Sequence, residues 1–595
     1  MYSFDVIVVG GGHAGIEAAH AAAKMGSKTL LLTLDIQKIG LMPCNPSIGG
    51  IGKGHIVYEI SALGGLMPKL CTKTYLQARM LNTKKGPAVQ GLRLQIDKYA
   101  YSDLSRKTLE NIANLSLRNG MVDHLVIDGD NNIRGVITND GITYHSSQVI
   151  LTTGTFLNGL VHIGTTNFPA GRQGESAVAS LSQSLAQLNL RMGRLKTGTP
   201  PRLLKSSIDF SRLDVQEPDS LEYLFEFQPH KSTSTHACYI THTNERTHEI
   251  IRNNLHQSAM YSGNIKGIGP RYCPSIEDKI SRFADKTSHH IFVEPEGADV
   301  DEIYPSGIST SLPIDIQKQY IQTIRGFENA IITKPGYAVE YDFVLPDQLY
   351  HTMEVKSARG LYLAGQINGT TGYEEAAGQG IIAGINASLR AQGKEPFIVS
   401  RTDSYIGVMI DDLVTMSVDE PYRMFTSRAE RRLSLRQDNA FLRLTDRAYS
   451  IGMIEDDLYS AFIHEKQIIE QTLIKLKTQH TCAQLLRIFG ELECNREHVR
   501  TYAGCDLSER AIDTIYASIR YEPYLKREER DIERYDQYQE LLLPAEIDFT
   551  HIPGLSKELA QKLTRHRPLT IAQACLIPGM TPAAISLLIL QARKK

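Results

Sequence analysis

The pattern of apolar and polar positions is clearest at the amino terminus. Residues 6–9, directly after Asp5, form a short apolar run that is rich in valine, and an alanine-rich helical pattern follows from His13 to about Gly26. The residues between them read Gly10-x-Gly12-x-x-Gly15. A strand, a glycine-rich turn and a helix in this order predict a dinucleotide-binding βαβ unit.

Each glycine of this turn has a physical reason. Gly10 permits a sharp turn, Gly12 lets a pyrophosphate approach the main chain, and Gly15 lets the helix pack closely on the strand.

The acid that normally binds the ribose is missing from the end of the next predicted strand, residues 28–33. Asp35 lies just beyond it and is either a displaced substitute or a solvated loop residue.

Two later stretches predict further strands beside the same cofactor. Residues 149–151 are apolar and run into Thr-Thr-Gly-Thr, and residues 360–380 read as a strand, a glycine-rich loop and a helix. One fingerprint followed by such strands is typical of flavoproteins, so the pattern favours FAD over NAD at the first site. Many flavoproteins carry an aspartate in the last of these motifs, where Gln366 stands here; a neutral glutamine can still bind the ribityl or phosphate region.

Two cysteines are candidate nucleophiles. Cys44 lies in a loop dense in proline and glycine, where it is either a reactive thiol or a small buried apolar residue. Pro274 is followed by acidic residues, which predicts a helix that starts there with Cys273 at or near its N-cap. A thiol at that position, two residues from Arg271, is expected to have a lowered pKa. Cys273 is therefore the stronger candidate, and a structural loop cysteine is the alternative.

Composition narrows the class of protein. The chain has 595 residues and a formal net charge of −2, which predicts three or four domains and excludes a globally basic nucleic-acid coat. Its eight cysteines form no Cys-x-x-Cys pair, so we expect no zinc ribbon, iron–sulfur cluster or disulfide framework. His236, His242 and His248 match no common metal-ligand spacing, and no metal is expected. Without a signal peptide or a long apolar segment, a soluble, cytoplasmic protein is expected.

The pattern of residues along the chain changes near residue 400. Glycine-rich α/β patterns stop there, and helical periodicity continues to the end. Residues 421–447 hold seven arginines against three acids, which indicates either a phosphate-binding stripe or a charged helical face. We predict an α/β protein of the glutathione-reductase-like FAD-binding Rossmann class, with an inserted α/β domain and an all-helical C-terminal domain. The predicted domains are 1–200 and 335–400 for the two parts of the FAD-binding domain, 201–334 for the insertion and 401–595 for the helical domain.

Eight motifs together resemble one known family. They are Gly10–Ala19, Cys44–His55, Lys85–Val89, Gly193–Arg202, Ile240–Asn244, Gly269–Lys279, Gly365–Ala376 and Glu420–Glu430. They closely resemble the glucose-inhibited division protein A family, the FAD subunit of the bacterial tRNA uridine 5-carboxymethylaminomethyl modification enzyme. The resemblance covers nearly the whole chain; one departure is Arg431, where the family has an aromatic residue.

The resemblance implies an activity and partners. It implies a homodimer that associates with a GTPase subunit and modifies the wobble uridine of certain tRNAs. The cofactors implied are FAD, NADH and methylenetetrahydrofolate, with glycine or ammonium as the amine donor. Residues 401–595 would then serve tRNA and the GTPase, and no membrane partner is implied.

The resemblance also implies site residues. Cys44 and Cys273 would lie in the active site. The implied FAD contacts are Gly10, Gly11, Gly12, His13, Ala14, Gly15, Val122 and Gln366. The implied nicotinamide-binding residues are Gly269, Pro270, Arg271, Tyr272, Cys273, Pro274, Ser275, Ile276, Glu277, Asp278, Lys279, Ile280, Ser281, Arg282 and Phe283.

Two thiols and a flavin are suited to the modification of carbon 5 of a uridine. Carbon 5 of uracil is a poor nucleophile, and addition of a thiolate at carbon 6 would give an enolate whose carbon 5 can attack a one-carbon electrophile. Either cysteine could make that adduct, with Cys273 favoured. The alternatives are a folate- and FAD-dependent tRNA uridine-54 methyltransferase, which lacks a helical C-terminal region, and a non-catalytic flavin-binding regulatory scaffold.

Overall fold

The computed structural model describes residues 2–270, 274–489, 496–503, 507–539, 541–544, 546–575, 577 and 580–593. The chain forms two compact units. The first comprises Met1–Gln479 with Leu492–Thr514, and the second comprises His480–Glu491 with Ile515–Lys595. The domain limits derived above from composition remain predictions.

A five-stranded parallel sheet belongs to the core of the first unit. Its strands lie in the order Leu361–Leu363, Val149–Leu151, Val6–Val9, Thr29–Thr33 and Leu115–Asn119, and every neighbouring pair is parallel. Parallel sheets are covered on both faces, so their strands need apolar side chains on both sides. The residues of Val6–Val9 and Val149–Leu151 are all buried. The predicted strand, turn and helix at the amino terminus are confirmed.

Helix His13–Lys24 packs against helix Tyr373–Ala391 at very short range. A Cβ added at Gly380 would lie 2.2 Å from the carbonyl oxygen of Ala14. A Cβ added at Gly384 would lie 2.4 Å from that of Ala18. No side chain fits in these gaps, so glycine on one helix allows the two backbones to touch.

Four further sheets complete the β-structure of the described residues in the first unit. Two of them have four strands, which lie in the orders Tyr2–Ser3, Thr143–His145, Ile133–Thr138, Val122–Ile127 and Thr166–Pro169, Leu160–Ile163, Tyr337–Val344, Met192–Thr199. A six-stranded sheet has the order Asp214–Gln216, Cys238–His242, His290–Pro295, Glu302–Ser306, Arg202–Leu204, Ile332–Lys334. A three-stranded sheet has the order Ser47–Gly49, Gly91–Ile96, Tyr75–Leu81.

The α-helices of the first unit are His13–Lys24, Lys53–Ala62, Met67–Thr74, Lys98–Glu110, Ser180–Gln187, Glu245–Asn253, Ile276–Arg282, Ile314–Ile321, Tyr373–Ala391, Tyr405–Asp411, Ala440–Ser450, Asp456–Gln479 and Arg496–Ala503. Helix Glu509–Gln539 runs from the first unit into the second, which also contains Cys482–Phe489, Lys557–His566, Ile571–Cys575 and Pro582–Arg593. Beyond residue 400 the described chain contains no strand, which confirms the helical C-terminal prediction. None of the described helices is both long enough and apolar enough to cross a membrane.

The six-stranded sheet packs against its own apolar core, to which helix Ile276–Arg282 contributes. The start of this helix differs from the prediction. Ile276 and Ile280 of helix Ile276–Arg282 are buried in that core. Ser275 is the N-cap, and its side chain accepts a hydrogen bond from the backbone N–H of Asp278. The helix begins two residues later than the predicted start at Pro274, and its cap is Ser275 rather than Cys273, because the serine hydroxyl satisfies the orphan donor. Cys273 precedes this cap by two residues in the sequence. Cys273 itself lies outside the described residues, as do Arg271 and Tyr272.

Candidate active site

A cleft opens at the carboxyl ends of three strands of the parallel sheet. The residues that directly follow strands Val6–Val9, Val149–Leu151 and Leu361–Leu363 all line it. Its empty volume is about 1530 Å³, part of which is open to solvent. Open α/β sheets bind their ligands at this edge.

The first glycine turn has the geometry that a nucleotide site requires. Gly10 has a φ of +109°, a conformation that favours glycine. A Cβ added at Gly15 would lie 1.8 Å from the carbonyl oxygen of Gly10, so Gly15 sits where the helix meets the turn. A Cβ added at Gly12 would meet no protein atom within 4 Å, although Gly12 lines the cleft. This open space at the start of helix His13–Lys24 fits a pyrophosphate bound by backbone N–H groups.

His13 is neutral and faces the same cleft. Its ring stacks on Tyr373, with the ring centroids 4.5 Å apart. Burial lowers the pKa of His13 to about 3. Within the described part of the chain its Nε2 atom is buried and has no hydrogen-bond partner. A buried nitrogen without a protein partner in the wall of a cleft is suited to contact a ligand.

The second glycine turn brings Gln366 to the cleft. Gly365 has a φ of +89°, and Gly372 is the N-cap of helix Tyr373–Ala391, as the sequence predicts. Val122 also lines the cleft. Gly10 to Ala14, Val122 and Gln366 are therefore brought together, while Gly15 packs behind the turn. Their contacts to FAD remain predictions.

Asp35 and its neighbours form a charged part of the lining. The Asp35 carboxylate accepts a hydrogen bond from the backbone N–H of Gln37, 3.0 Å away. Lys38 lies 3.6 Å from both Asp35 and Glu175. Asp35 thus caps the short helical turn Ile36–Lys38 and also lines the cleft.

Cys44 lines this cleft as well. Its backbone N–H donates to the Tyr373 hydroxyl at 2.9 Å. Its Sγ atom lies 3.2 Å from the Tyr304 hydroxyl and 3.8 Å from the carbonyl oxygen of Gly198. The half-buried thiol therefore lies at the wall of this cleft.

A partly buried lysine fixes the loop that follows Cys44. Lys53 Nζ donates to Glu374 at 2.7 Å and to Glu375 at 3.1 Å. Glu374 also accepts from the backbone N–H of Gly49, and Glu375 from that of Met424. These carboxylates join the loop to the start of the helix that carries the second glycine turn.

The stretch from residue 269 to 283 is placed elsewhere. None of its described residues, which are 269–270 and 274–283, lines the cleft around Gly10. Glu277 is fully buried and accepts hydrogen bonds from Ser258, Thr310 and Ser311. Phe283 is 52% exposed. Nicotinamide binding by this stretch remains a prediction.

The sequence does not reveal Tyr304 and Arg202 as parts of the site. Tyr304 lies on strand Glu302–Ser306, 260 residues along the chain from Cys44. Arg202 is the last residue of Gly193–Arg202, one of the eight motifs of the family resemblance, but no role follows for it from that motif. That motif and the basic, acid-free composition of residues 191–202 are the signals that could have drawn attention to Arg202.

Most arginines of residues 421–447 have partners within the protein. Arg436 pairs with Asp438, Arg443 with Glu59, and Arg447 with Asp403; Arg428 lies over the ring of Tyr422. Arg431 and Arg432 form no ion pair with any residue that the structure describes. The stripe is therefore largely structural, and these two are the best remaining candidates for contacts to phosphates.

Comparison with known proteins identifies the family. The family model described as "Glucose inhibited division protein A" matches residues 5–395, and "tRNA modifying enzyme MnmG/GidA C-terminal helical bundle" matches residues 531–595. The chain is 49% identical to the tRNA uridine 5-carboxymethylaminomethyl modification enzyme MnmG of Thermodesulfovibrio yellowstonii, over 100% of this chain and 98% of that protein.

Two solved structures of Aquifex aeolicus GidA are similar in fold. The form I crystal matches with a TM-score of 0.87 and 47% identity, over 99% of each chain. The form II crystal matches with a TM-score of 0.86 and 44% identity, over 99% of this chain and 98% of the other. The predicted fold class is confirmed, and the chain belongs to the glucose inhibited division protein A family.

Proposed function

We propose that this chain is the FAD-containing subunit of an enzyme that installs a carboxymethylaminomethyl or aminomethyl group on C5 of the wobble uridine of certain tRNAs. The activity in the name of the relative that is 49% identical over the full length supports this assignment. The structural observation that carries it is a single cleft lined by both glycine turns and by Cys44.

The residues around the first turn fit the cofactor. The open space at Gly12 and the helix N-terminus at His13 would receive the pyrophosphate. Val122 and Gln366 would contact other parts of the flavin nucleotide. FAD, when bound, supplies the redox chemistry that side chains cannot perform.

Cys44 would act on the base, because it is the candidate thiol among the described residues that line the cleft. Its thiolate would add to C6 of uracil, and the electron pair of the C5–C6 bond would move into an enolate. C5 would then attack a one-carbon electrophile, lose its proton and release the thiolate. The wobble base lies in a single-stranded loop, so it can be turned into a pocket at modest cost. Cys273 remains the other candidate for this step.

The remaining assignments rest on the family resemblance. We propose NADH as reductant, bound by residues 269–283, and methylenetetrahydrofolate as the one-carbon source. We also propose a homodimer that joins a GTPase subunit, and tRNA as the macromolecular substrate, which implies action in the cytoplasm.

Mass analysis of anticodon nucleosides tests the proposal. Unmodified tRNA would be incubated with the protein, its GTPase partner, FAD, NADH, methylenetetrahydrofolate and glycine. We expect a C5 adduct on the wobble uridine with the wild type and with the control Cys575→Ser. We expect none with Cys44→Ser, provided that this variant still binds FAD. No adduct with the wild type would overturn the assignment.

A further inference from the structure

Tyr304 is in contact with the sulfur of Cys44. The Tyr304 side chain is 4% exposed, and its hydroxyl lies 3.2 Å from Sγ. In the neutral pair either group can donate the hydrogen bond. Once the thiol is ionised, only the tyrosine can donate, so this contact stabilises the thiolate more than the thiol.

Arg202 holds both partners of this contact. Its guanidinium lies over the Tyr304 ring, 4.7 Å from the centroid. It donates to the carbonyl oxygen of Pro43, the residue before Cys44, at 2.6 Å. Glu296 accepts from the Nε of Arg202 at 2.8 Å and fixes the guanidinium in place. A positive charge near a phenol makes its O–H a stronger donor.

The geometry points to Tyr304 as a positioning residue for Cys44: its hydroxyl donates a hydrogen bond to the sulfur, and so favours the thiolate over the thiol. Arg202 orients the tyrosine and the loop. This inference rests on the proposed function only in that Cys44 then has a reaction to perform.

Other polar groups around Cys44 have different roles. Arg202, Tyr337 and Tyr373 lie close enough to interact electrostatically with an ionised Cys44. Tyr373 accepts from the backbone N–H of Cys44. The hydroxyl of Tyr337 is bound to the backbone of Gln173. Burial raises the pKa of both tyrosines, so they are uncharged at neutral pH.

The pH dependence of Cys44 alkylation tests the inference. The full-length FAD-bound protein would be treated with iodoacetamide between pH 5.5 and 10, and labelling of the Cys44 peptide would be followed by mass spectrometry. Tyr304→Phe keeps the ring and removes only the hydroxyl. We expect its apparent thiol pKa to rise by about one unit, and its labelling rate at pH 7 to fall about tenfold, with the rate at high pH unchanged.

Tyr320→Phe is the matched control, because it removes a buried hydroxyl from the core of the same six-stranded sheet, where its electrostatic partners are Glu277 and Thr310 rather than Cys44. Its pH profile should superimpose on that of the wild type. A Tyr304→Phe profile that superimposes on the wild type would overturn the inference. So would a rate that falls equally at every pH, because that result indicates altered access rather than altered ionisation. Retention of the flavin spectrum by each variant establishes that it is folded.

The two proposals fail separately. If the wild type modifies no tRNA but Tyr304→Phe shifts the labelling profile, the contact stands and the proposed function falls. If tRNA is modified and the profile does not move, the proposed function stands and the role of Tyr304 falls.

Discussion

Two glycines of one turn allow the stability of the fold to be separated from its affinity for a flavin. Gly12 has an extended conformation, with φ −79° and ψ −174°, that alanine can adopt. A Cβ there meets no protein atom within 4 Å and projects into the cleft. At Gly15 a Cβ would lie 1.8 Å from the carbonyl oxygen of Gly10 and 2.9 Å from Thr152 Oγ1.

The expected magnitudes follow from these distances. In Gly12→Ala, the lower entropy of the unfolded chain adds about 0.4–1 kcal/mol of stability, and alanine is a poorer N-cap than glycine. These effects offset, so the free energy of unfolding of the apoprotein should change by less than about 1 kcal/mol. In Gly15→Ala the new methyl group cannot avoid the backbone, and the loss should exceed the roughly 1–3 kcal/mol typical of overpacking.

The affinity for FAD, unlike the stability of the apoprotein, should be reduced by Gly12→Ala. The Gly12→Ala methyl group occupies the space proposed for the pyrophosphate, so we expect FAD to bind at least about tenfold more weakly, equivalent to about 1.4 kcal/mol. Denaturant unfolding of the apoprotein and titration of flavin fluorescence measure the two quantities. Wild-type FAD affinity in Gly12→Ala would refute our placement of the pyrophosphate. Native stability in Gly15→Ala would refute the packing of the turn.

Three further predictions concern charge. Burial, with a smaller effect of a nearby lysine, lowers the pKa of His20 from 6.5 to about 3. Below pH 6.5 the unfolded chain binds a proton at His20 that the folded protein does not, so the free energy of unfolding falls as the pH is lowered from 6.5 towards 3. His20→Gln should remove this loss, which is about 2 kcal/mol at pH 5. An unchanged pH dependence of the free energy of unfolding would contradict this prediction. Lys53→Met leaves two buried glutamates unpaired and should cost about 3–5 kcal/mol in denaturant unfolding; a loss below about 1 kcal/mol would contradict the ion pairs. Arg432→Gln should reduce the slope of log K for tRNA binding against log salt by about 0.7–0.9, the effect of one lost phosphate contact. The control Arg106→Gln, on a helix far along the chain, should not change this slope.

Local structure around the glycine turns could be predicted from the sequence. Gly10, Gly15 and Gly372 lie where the strand, turn and helix patterns place them. The reason is that φ preferences and helix capping act between residues close in sequence. The same reasoning mistook the cap of helix Ile276–Arg282, because two capping signals, a proline and a serine, stand side by side.

The surroundings of Cys44 could not be predicted in that way. Tyr304 reaches the thiol only because strands Glu302–Ser306 and Arg202–Leu204 lie in one sheet, and Arg202 reaches back to Pro43. No local pattern encodes such pairings. The arginines of residues 421–447 give a second case, since acids such as Glu59 and Asp403 that pair with them lie elsewhere in the sequence.

The direct contact between helices His13–Lys24 and Tyr373–Ala391 has a consequence for synthesis. The first glycine turn leaves the ribosome early, but the strand and helix that complete its cleft lie at residues 361–391. Pairings so distant in sequence form slowly and late. The parallel sheet therefore stays incomplete, with apolar surface exposed, until more than half of the chain has been synthesised. Flavin binding should follow late, and its onset can serve as a measure of when this part of the fold is complete.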